Sequence, residues 1–160
     1  APDIPIDPAD ALAFLKQLCE DEQPDVVIGT SMGGMYAQQM FGFKRICVNP
    51  AFEISVKSKV LKVGNFEYFK PRMDGKTHFS ITPDIIKHYA DMESKQFDGV
   101  TDEEKTKVWG LFGSDDRQVN GEHVFRQYYD NVIHFNGEHR MSDEVIENVL
   151  IPLIRKITNS

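Results

Sequence analysis

Four short apolar segments of this 160-residue chain alternate with segments of helical periodicity. The predicted strands span 25–28, 45–48, 107–112 and 131–135. Continuous apolar runs such as Val26-Val27-Ile28 are typical of strands buried on both faces of a parallel sheet. The alternation therefore predicts an α/β fold, with a mostly parallel sheet flanked by helices in three layers.

Helix and turn signals fill the chain between these strands. Asp7-Pro8 and Thr82-Pro83 each place a capping residue before a proline, which is typical of a helix start. Periodicity and turn residues predict the remaining elements: helices over 8–20, 32–41, 83–93, 121–129 and 142–157, a hairpin or irregular flap around Asp74-Gly75, and a solvated acidic turn at 102–104.

Length, charge and cysteine content limit the class of protein. The length fits one domain over residues 1–160, and no apolar run approaches the roughly 20 residues of a membrane span. The net charge is −7, and there is no basic cluster, which argues against nucleic acid or a membrane surface as a partner. Cys19 and Cys47 are too few for a disulfide framework and favour two buried thiols. We therefore expect a reducing compartment and a cytoplasmic location.

The sequence Gly29-Thr30-Ser31-Met32-Gly33 lies between the first predicted strand and a predicted helix. A nucleophile on a sharp strand-to-helix turn needs small residues two places before and after it, because the backbone folds back on itself. The helix start also lets the Met32 N–H stabilise an oxyanion. A structural turn and a phosphate-binding turn are the alternatives, but no Gly-Lys-Ser/Thr follows, which excludes a Walker-type loop.

A nucleophilic serine needs a base, and the base needs an orienting acid. Asp115 and Asp116 follow the strand 107–112, and His139 follows the strand 131–135. Both positions lie at the carboxyl ends of strands, where open α/β sheets place their sites. The pattern predicts an acid and a base in the order that the serine motif requires, and it leaves both aspartates open. No metal site is predicted, because no spaced histidine pair accompanies these residues.

Together, these segments resemble the small YqiA-type serine esterases of the α/β-hydrolase superfamily over nearly the whole chain. The resemblance rests on the serine motif and on three later segments: Val-Asn-Pro-Ala at 48–51, Gly-Ser-Asp-Asp-x-x-Val from Gly113, and Gly-Glu-His at 137–139. It implies that Ser31 is the nucleophile and His139 the general base. The superfamily pattern Gly-x-x-Asp-x-x-Val implies Asp116 as the acid, with Asp115 as the alternative.

The chain departs from the superfamily at its start. These hydrolases carry a His-Gly oxyanion loop after an earlier strand, and residues 1–5 resemble the segment that follows that loop. We therefore expect the first strand and the oxyanion loop to be absent from this sequence. The strand 25–28 would then lie at a sheet edge and favour self-association. Residues 52–100 correspond to a variable, cap-like insertion over the site.

The resemblance implies a serine hydrolase, a carboxylesterase that cleaves a small acyl ester or thioester through an acyl-enzyme. It implies no cofactor, and the expected partner is the small-molecule substrate. The alternative from another class is a catalytically silent α/β-hydrolase-like protein that binds a ligand without turning it over.

Overall fold

The computed structural model describes residues 1–57 and 61–159, which form two compact units. One unit combines residues 1–22 with 53–96, and the other combines 23–52 with the chain from residue 97 onward. The predicted single domain with an insertion over 52–100 stays a prediction. None of the helices within the described ranges is both long and apolar enough to cross a lipid bilayer.

Helices and strands are numbered here in chain order. The helices are α1 (Pro8–Glu22), α2 (Met32–Ala37), α3 (Ile54–Lys57), α4 (Pro83–Glu93), α5 (Asp102–Lys105), α6 (Glu122–Phe125), α7 (Asp143–Val145) and α8 (Ile151–Thr158), and a π-helical turn, Ile146–Leu150, joins the last two. The strands are β1 (Val27–Thr30), β2 (Arg45–Val48), β3 (Gly64–Glu67), β4 (His78–Ile81), β5 (Val108–Gly113) and β6 (Val132–Phe135).

The second unit contains a four-stranded parallel sheet in the order β1-β2-β5-β6. Val48 at the end of β2 is in register with Thr30 on one side and Leu111 on the other, and Gly113 pairs with Phe135. The carboxyl ends of all four strands therefore lie at one edge of the sheet. The predicted α/β class with a parallel sheet is confirmed.

Helices cover both faces of this sheet. Alternate strand residues pack against the closing helix, in a core made of Ile46, Val48, Leu111, Phe135, Val145, Leu150, Leu153 and Ile157. On the opposite face, the rings of Phe112 and Phe125 meet edge to face, with their centroids 5.5 Å apart. A Cβ on Gly110 would lie 2.9 Å from the Phe125 ring, so the glycine lets α6 approach the sheet.

The first strand differs from its prediction in position and in burial. It begins at Val27 and ends at Thr30, and its side chains alternate between half-buried and exposed. Ile28 is 40% exposed. In the described part of the chain β1 pairs only with β2 and lies at an edge of the sheet, as expected for this strand. The burial on both faces that is typical of such apolar runs does not hold for β1.

The first unit contains the predicted hairpin and two capped helices. Strands β3 and β4 are antiparallel, and Phe79 contacts Phe66 and Tyr68 at ring-centroid distances of 5.6 and 4.7 Å. Asp7 accepts a hydrogen bond from the N–H of Ala9, which caps α1, and Thr82 caps α4 in the same way. Helix α1 continues two residues beyond the predicted end.

The acidic run 102–104 is a short helix, α5, and only part of it is solvated. Asp102 and Glu103 have exposed side chains, whereas the side chain of Glu104 is 12% exposed and pairs with the fully buried guanidinium of Arg45. The predicted solvated turn is therefore wrong for Glu104. The sequence did not indicate its partner, which lies 59 residues away.

Candidate active site

Ser31 lies in the sharp turn between β1 and α2, with φ 57° and ψ −120°. A non-glycine residue with positive φ is uncommon. Such a conformation costs roughly 1–3 kcal/mol and persists only where the surrounding structure imposes it. The Ser31 N–H donates to the Val48 carbonyl at 2.9 Å, and the Ser31 carbonyl accepts from Ala51 at 3.1 Å. These hydrogen bonds to residues 48 and 51, at the end of β2 and just after it, hold the serine backbone in its strained conformation.

The glycines of the turn have different steric roles. A Cβ on Gly29 would lie 2.0 Å from the carbonyl oxygen of Gly33, so this position admits no side chain. A Cβ on Gly33 would meet nothing within 4 Å outside its own helix, so the expectation that this glycine is sterically required is wrong. Gly34 is crowded instead, because its Cβ would lie 3.1 Å from the Gly29 carbonyl and from Pro50.

Asp116 and His139 lie in the loops that follow β5 and β6. The Oδ2 atom of Asp116 is 2.8 Å from Nδ1 of His139, and both side chains are more than nine-tenths buried. The other carboxylate oxygen accepts hydrogen bonds from the N–H groups of Gln118 and Val119, at 2.8 and 3.2 Å. The Asp116 carboxylate is thus held by its own loop, and it orients the imidazole through its contact with Nδ1.

Asp115 occupies a different environment. Its side chain is exposed and accepts a hydrogen bond from the Ser114 hydroxyl at 3.2 Å. Its backbone N–H donates to the Gly137 carbonyl and joins the two loops. Of the two neighbouring aspartates, Asp116 is the one in contact with His139.

The structure places Ser31, Asp116 and His139 at the same edge of the sheet, after β1, β5 and β6. It joins Asp116 to His139, but within residues 1–57 and 61–159 no hydrogen bond joins the Ser31 hydroxyl to His139. Catalytic hydrogen bonds are often long in structures without substrate and shorten when substrate binds. Met32 begins α2, and the first N–H groups of a helix have no partner within it.

The other histidines that the structure describes have partners elsewhere. His88 pairs with Asp7, His78 with Glu67 and His134 with Glu122, at the protein surface. In the described ranges, no group of three histidine, cysteine, aspartate or glutamate side chains is placed to hold a metal ion.

The prediction from sequence missed Asn49 as a functional candidate. Its side chain is buried and bridges the end of β5 and the loop after β6, with hydrogen bonds to Gly113 and to the carbonyl of His139. An asparagine directly after a buried strand is the one sequence signal for this role, since a polar side chain at such a position needs partners.

Comparisons with known proteins agree with this architecture. The family described as "Uncharacterised protein family (UPF0227)" matches residues 1–153. No curated protein matches the chain.

The chain is also similar to many solved structures. A monoacylglycerol lipase from Paleococcus ferrophilus is 14% identical, with a TM-score of 0.57 over 94% of this chain and 75% of that protein. The esterase domain of a Rhodothermus marinus protein is 15% identical, with a TM-score of 0.60 over 92% and 68%. Mouse alpha/beta hydrolase domain-containing protein 10 is 15% identical, with a TM-score of 0.56 over 94% and 69%.

At sequence identities of 14–15% the similarity to these structures establishes the fold of the chain. The match over residues 1–153 establishes that the chain belongs to the family. The predicted α/β-hydrolase fold is confirmed. The chain belongs to the UPF0227 family and has the α/β-hydrolase fold.

Proposed function

We propose that this protein is a serine esterase that cleaves a small acyl ester or thioester. The observation that carries the proposal is the buried hydrogen bond between Asp116 and His139, at the sheet edge where Ser31 occupies a strained turn. A serine hydroxyl needs a base, and a histidine needs an acid that fixes its tautomer. Asp116 is the acid that binds His139, and Ser31 is half-buried in the turn at the same edge.

In the proposed mechanism Ser31 attacks the acyl carbonyl and forms a bond from Oγ to carbon. His139 binds Asp116 through Nδ1, so its Nε2 is the atom that takes the serine proton and later returns it to the leaving group. The backbone N–H of Met32 stabilises the oxyanion. Collapse of the tetrahedral intermediate releases the alcohol or thiol, and water then hydrolyses the acyl-enzyme with His139 again as the base.

The alternative is a silent binding protein with the same fold. The similar structures include a protein named as a lipase and another named as an esterase domain, which supports hydrolysis. The strain at Ser31 supports it further, since backbone strain is concentrated at functional sites. A buried imidazole paired with an acid, at the same sheet edge as a strained serine, is the arrangement that nucleophilic catalysis by serine requires.

Hydrolysis of p-nitrophenyl acetate and of a short acyl thioester tests the proposal. We expect turnover by the wild-type protein and its loss in Ser31→Ala. Ser114→Ala is the matched control, because Ser114 is an exposed serine that hydrogen-bonds Asp115 instead of the imidazole. A Ser31→Ala variant as active as Ser114→Ala would reject the proposal, and a wild-type protein that binds ester without turnover would support the silent binding protein.

A further inference from the structure

Residues 48–51, at the end of β2, contact the serine turn, the end of β5 and the loop after β6. At its two ends this peptide holds the backbone of Ser31, through hydrogen bonds with Val48 and Ala51. Between these two residues lies Asn49, whose N–H donates to the Leu111 carbonyl at 2.9 Å and continues the pairing of β2 with β5. The peptide is therefore fixed relative to both the serine turn and the central strand.

The Asn49 side chain contacts the end of β5 and the loop after β6. Its Oδ1 accepts a hydrogen bond from the Gly113 N–H at 2.9 Å. Its Nδ2 donates to the carbonyls of His139 and Glu138, at 2.9 and 3.3 Å. The residue is 2% exposed, so both ends of the amide are used in the protein interior.

Asn49 adopts an uncommon backbone conformation, with φ 41°. Asparagine tolerates this left-handed region better than most residues, because its short side chain hydrogen-bonds locally. Gly113 shows how closely the loops approach, since a Cβ there would lie 2.5 Å from the Glu138 carbonyl oxygen. The amide of Asn49 lies between the end of β5 and the loop after β6, which approach each other this closely.

Two backbone hydrogen bonds also join the loops after β5 and β6. Ser114 donates to Phe135 at 3.0 Å and Asp115 donates to Gly137 at 2.9 Å. Both hydrogen bonds hold the backbone of residues that precede His139. The Asn49 amide contacts the backbone of His139 itself, and it does so from a peptide that also holds Ser31.

We infer that Asn49 is a positioning residue that fixes the backbone of His139 relative to both Ser31 and Asp116. The inference rests on the proposed function, because it assigns Asn49 a role in that same site. Released from Asn49, the imidazole shifts relative to the serine, and a displacement of about 1 Å can cost on the order of 10²-fold in rate.

The test compares Asn49→Gly with Asn131→Ala in the full chain. Glycine keeps the left-handed backbone and removes the amide. Asn131 is the matched control, since its amide also donates to two carbonyls, of Lys105 and Val108, at the opposite end of β5. We expect Asn49→Gly to lower kcat for p-nitrophenyl acetate about 10- to 100-fold with KM within about threefold. Equal kcat values for the two variants would overturn the inference.

Asn49→Asp provides a second variant with the shape and the left-handed preference of the native residue. An ionised carboxylate still accepts from Gly113 but cannot donate to His139. We expect its kcat to be about 10- to 100-fold below that of wild type from pH 7 to 9.5, as in Asn49→Gly. A constant ratio near one across this range would contradict a role for the donated hydrogen bond.

The third measurement does not depend on activity. The proton on His139 Nδ1, hydrogen-bonded to Asp116, is expected to give a low-field proton NMR signal in wild type and in Asn131→Ala. We expect this signal to broaden or shift in Asn49→Gly. An unchanged signal would overturn the inference, even for a chain without esterase activity. If the wild-type protein is inactive and the signal changes only in Asn49→Gly, the proposed function is rejected and the positioning role is retained.

Discussion

Asp116 and His139 are 23 residues apart in the chain, and their side chains meet at 2.8 Å because parallel strands end at the same sheet edge. Each follows one of two neighbouring strands, β5 and β6, whose last residues, Gly113 and Phe135, are in register. The contact thus follows from the topology of the sheet. It distinguishes Asp116 from Asp115, which points to Ser114.

The first prediction uses these two aspartates as a matched pair. We expect Asp116→Asn and His139→Ala each to lower esterase activity on the order of 10⁴-fold, because the proposed triad acts as one unit. Asp115→Asn removes a neighbouring carboxylate that does not contact the imidazole, and we expect activity within about threefold of wild type. Steady-state kinetics, with circular dichroism as a folding control, shows which of the two aspartates is the acid. Greater damage from Asp115→Asn would show that the assignment of the acid is wrong.

The second prediction separates the two glycines of the serine turn. We expect Gly29→Ala to destabilise the protein by at least about 3 kcal/mol, because its Cβ would overlap the Gly33 carbonyl. Gly33→Ala fits into open space at the start of α2. Alanine is favoured over glycine in helices, so we expect a gain of up to about 1 kcal/mol and retained activity. Urea unfolding of both variants provides the measurement, and equal losses would contradict the steric difference.

The third prediction concerns the buried pair of Arg45 and Glu104. Removing one charge leaves the other buried without its partner, which typically costs about 3–5 kcal/mol. We expect Glu104→Gln to lower the free energy of unfolding by about 3 kcal/mol. Glu103→Gln, on the same short helix but with an exposed side chain, should change it far less, because solvent screens the pair of Glu103 with Lys107. Similar values for the two glutamates in thermal and urea unfolding would indicate that the pair contributes little.

The fourth prediction is a loss of stability at alkaline pH that involves Cys47. Burial raises the pKa of its thiol from the ordinary 9.0 to about 12, although the nearby Arg45 opposes the shift. Between these values the unfolded chain releases the thiol proton and the folded chain keeps it. Stability should therefore fall as pH rises from about 9 to 12, by about 1.4 kcal/mol per pH unit for one proton. In Cys47→Ala the slope of unfolding free energy against pH should be shallower by one proton, and an unchanged slope would contradict the shift.

The fifth prediction concerns the edge strand β1. An exposed edge can pair with another chain, and a charged residue on it prevents such pairing. We expect concentration-dependent self-association of the wild-type protein in sedimentation velocity and its loss in Ile28→Lys. Phe14→Lys is the control, because Phe14 is 38% exposed and Ile28 is 40% exposed, but Phe14 lies on helix α1. If Phe14→Lys abolishes association equally, general hydrophobicity is responsible and the edge is not.

Local signals in the sequence predicted those parts of the fold that depend on neighbouring residues. The caps at Asp7 and Thr82 are confirmed because a side chain and the N–H group two or three residues later decide each of them. The strand at 45–48 matches its prediction because its four residues are buried on both faces of the sheet. The α/β class follows from the same periodicity.

Features that depend on distant partners could not be predicted in this way. The burial of Glu104 follows from its pairing with the distant Arg45. The role of Asn49 depends on contacts with residues about 64 and 90 positions later. No local pattern encodes these distances, so the sequence indicated the serine turn and the acid and base loops without indicating the side chain that connects them.

Covalent labelling with a fluorophosphonate tests whether Ser31 is an activated nucleophile, because the reagent reacts with an activated serine and needs no knowledge of the substrate. We expect one adduct per chain, mapped by peptide mass spectrometry to Ser31, and at least about 100-fold slower labelling in His139→Ala. Absence of an adduct, or an adduct on another serine that forms equally fast in His139→Ala, would contradict this role of Ser31.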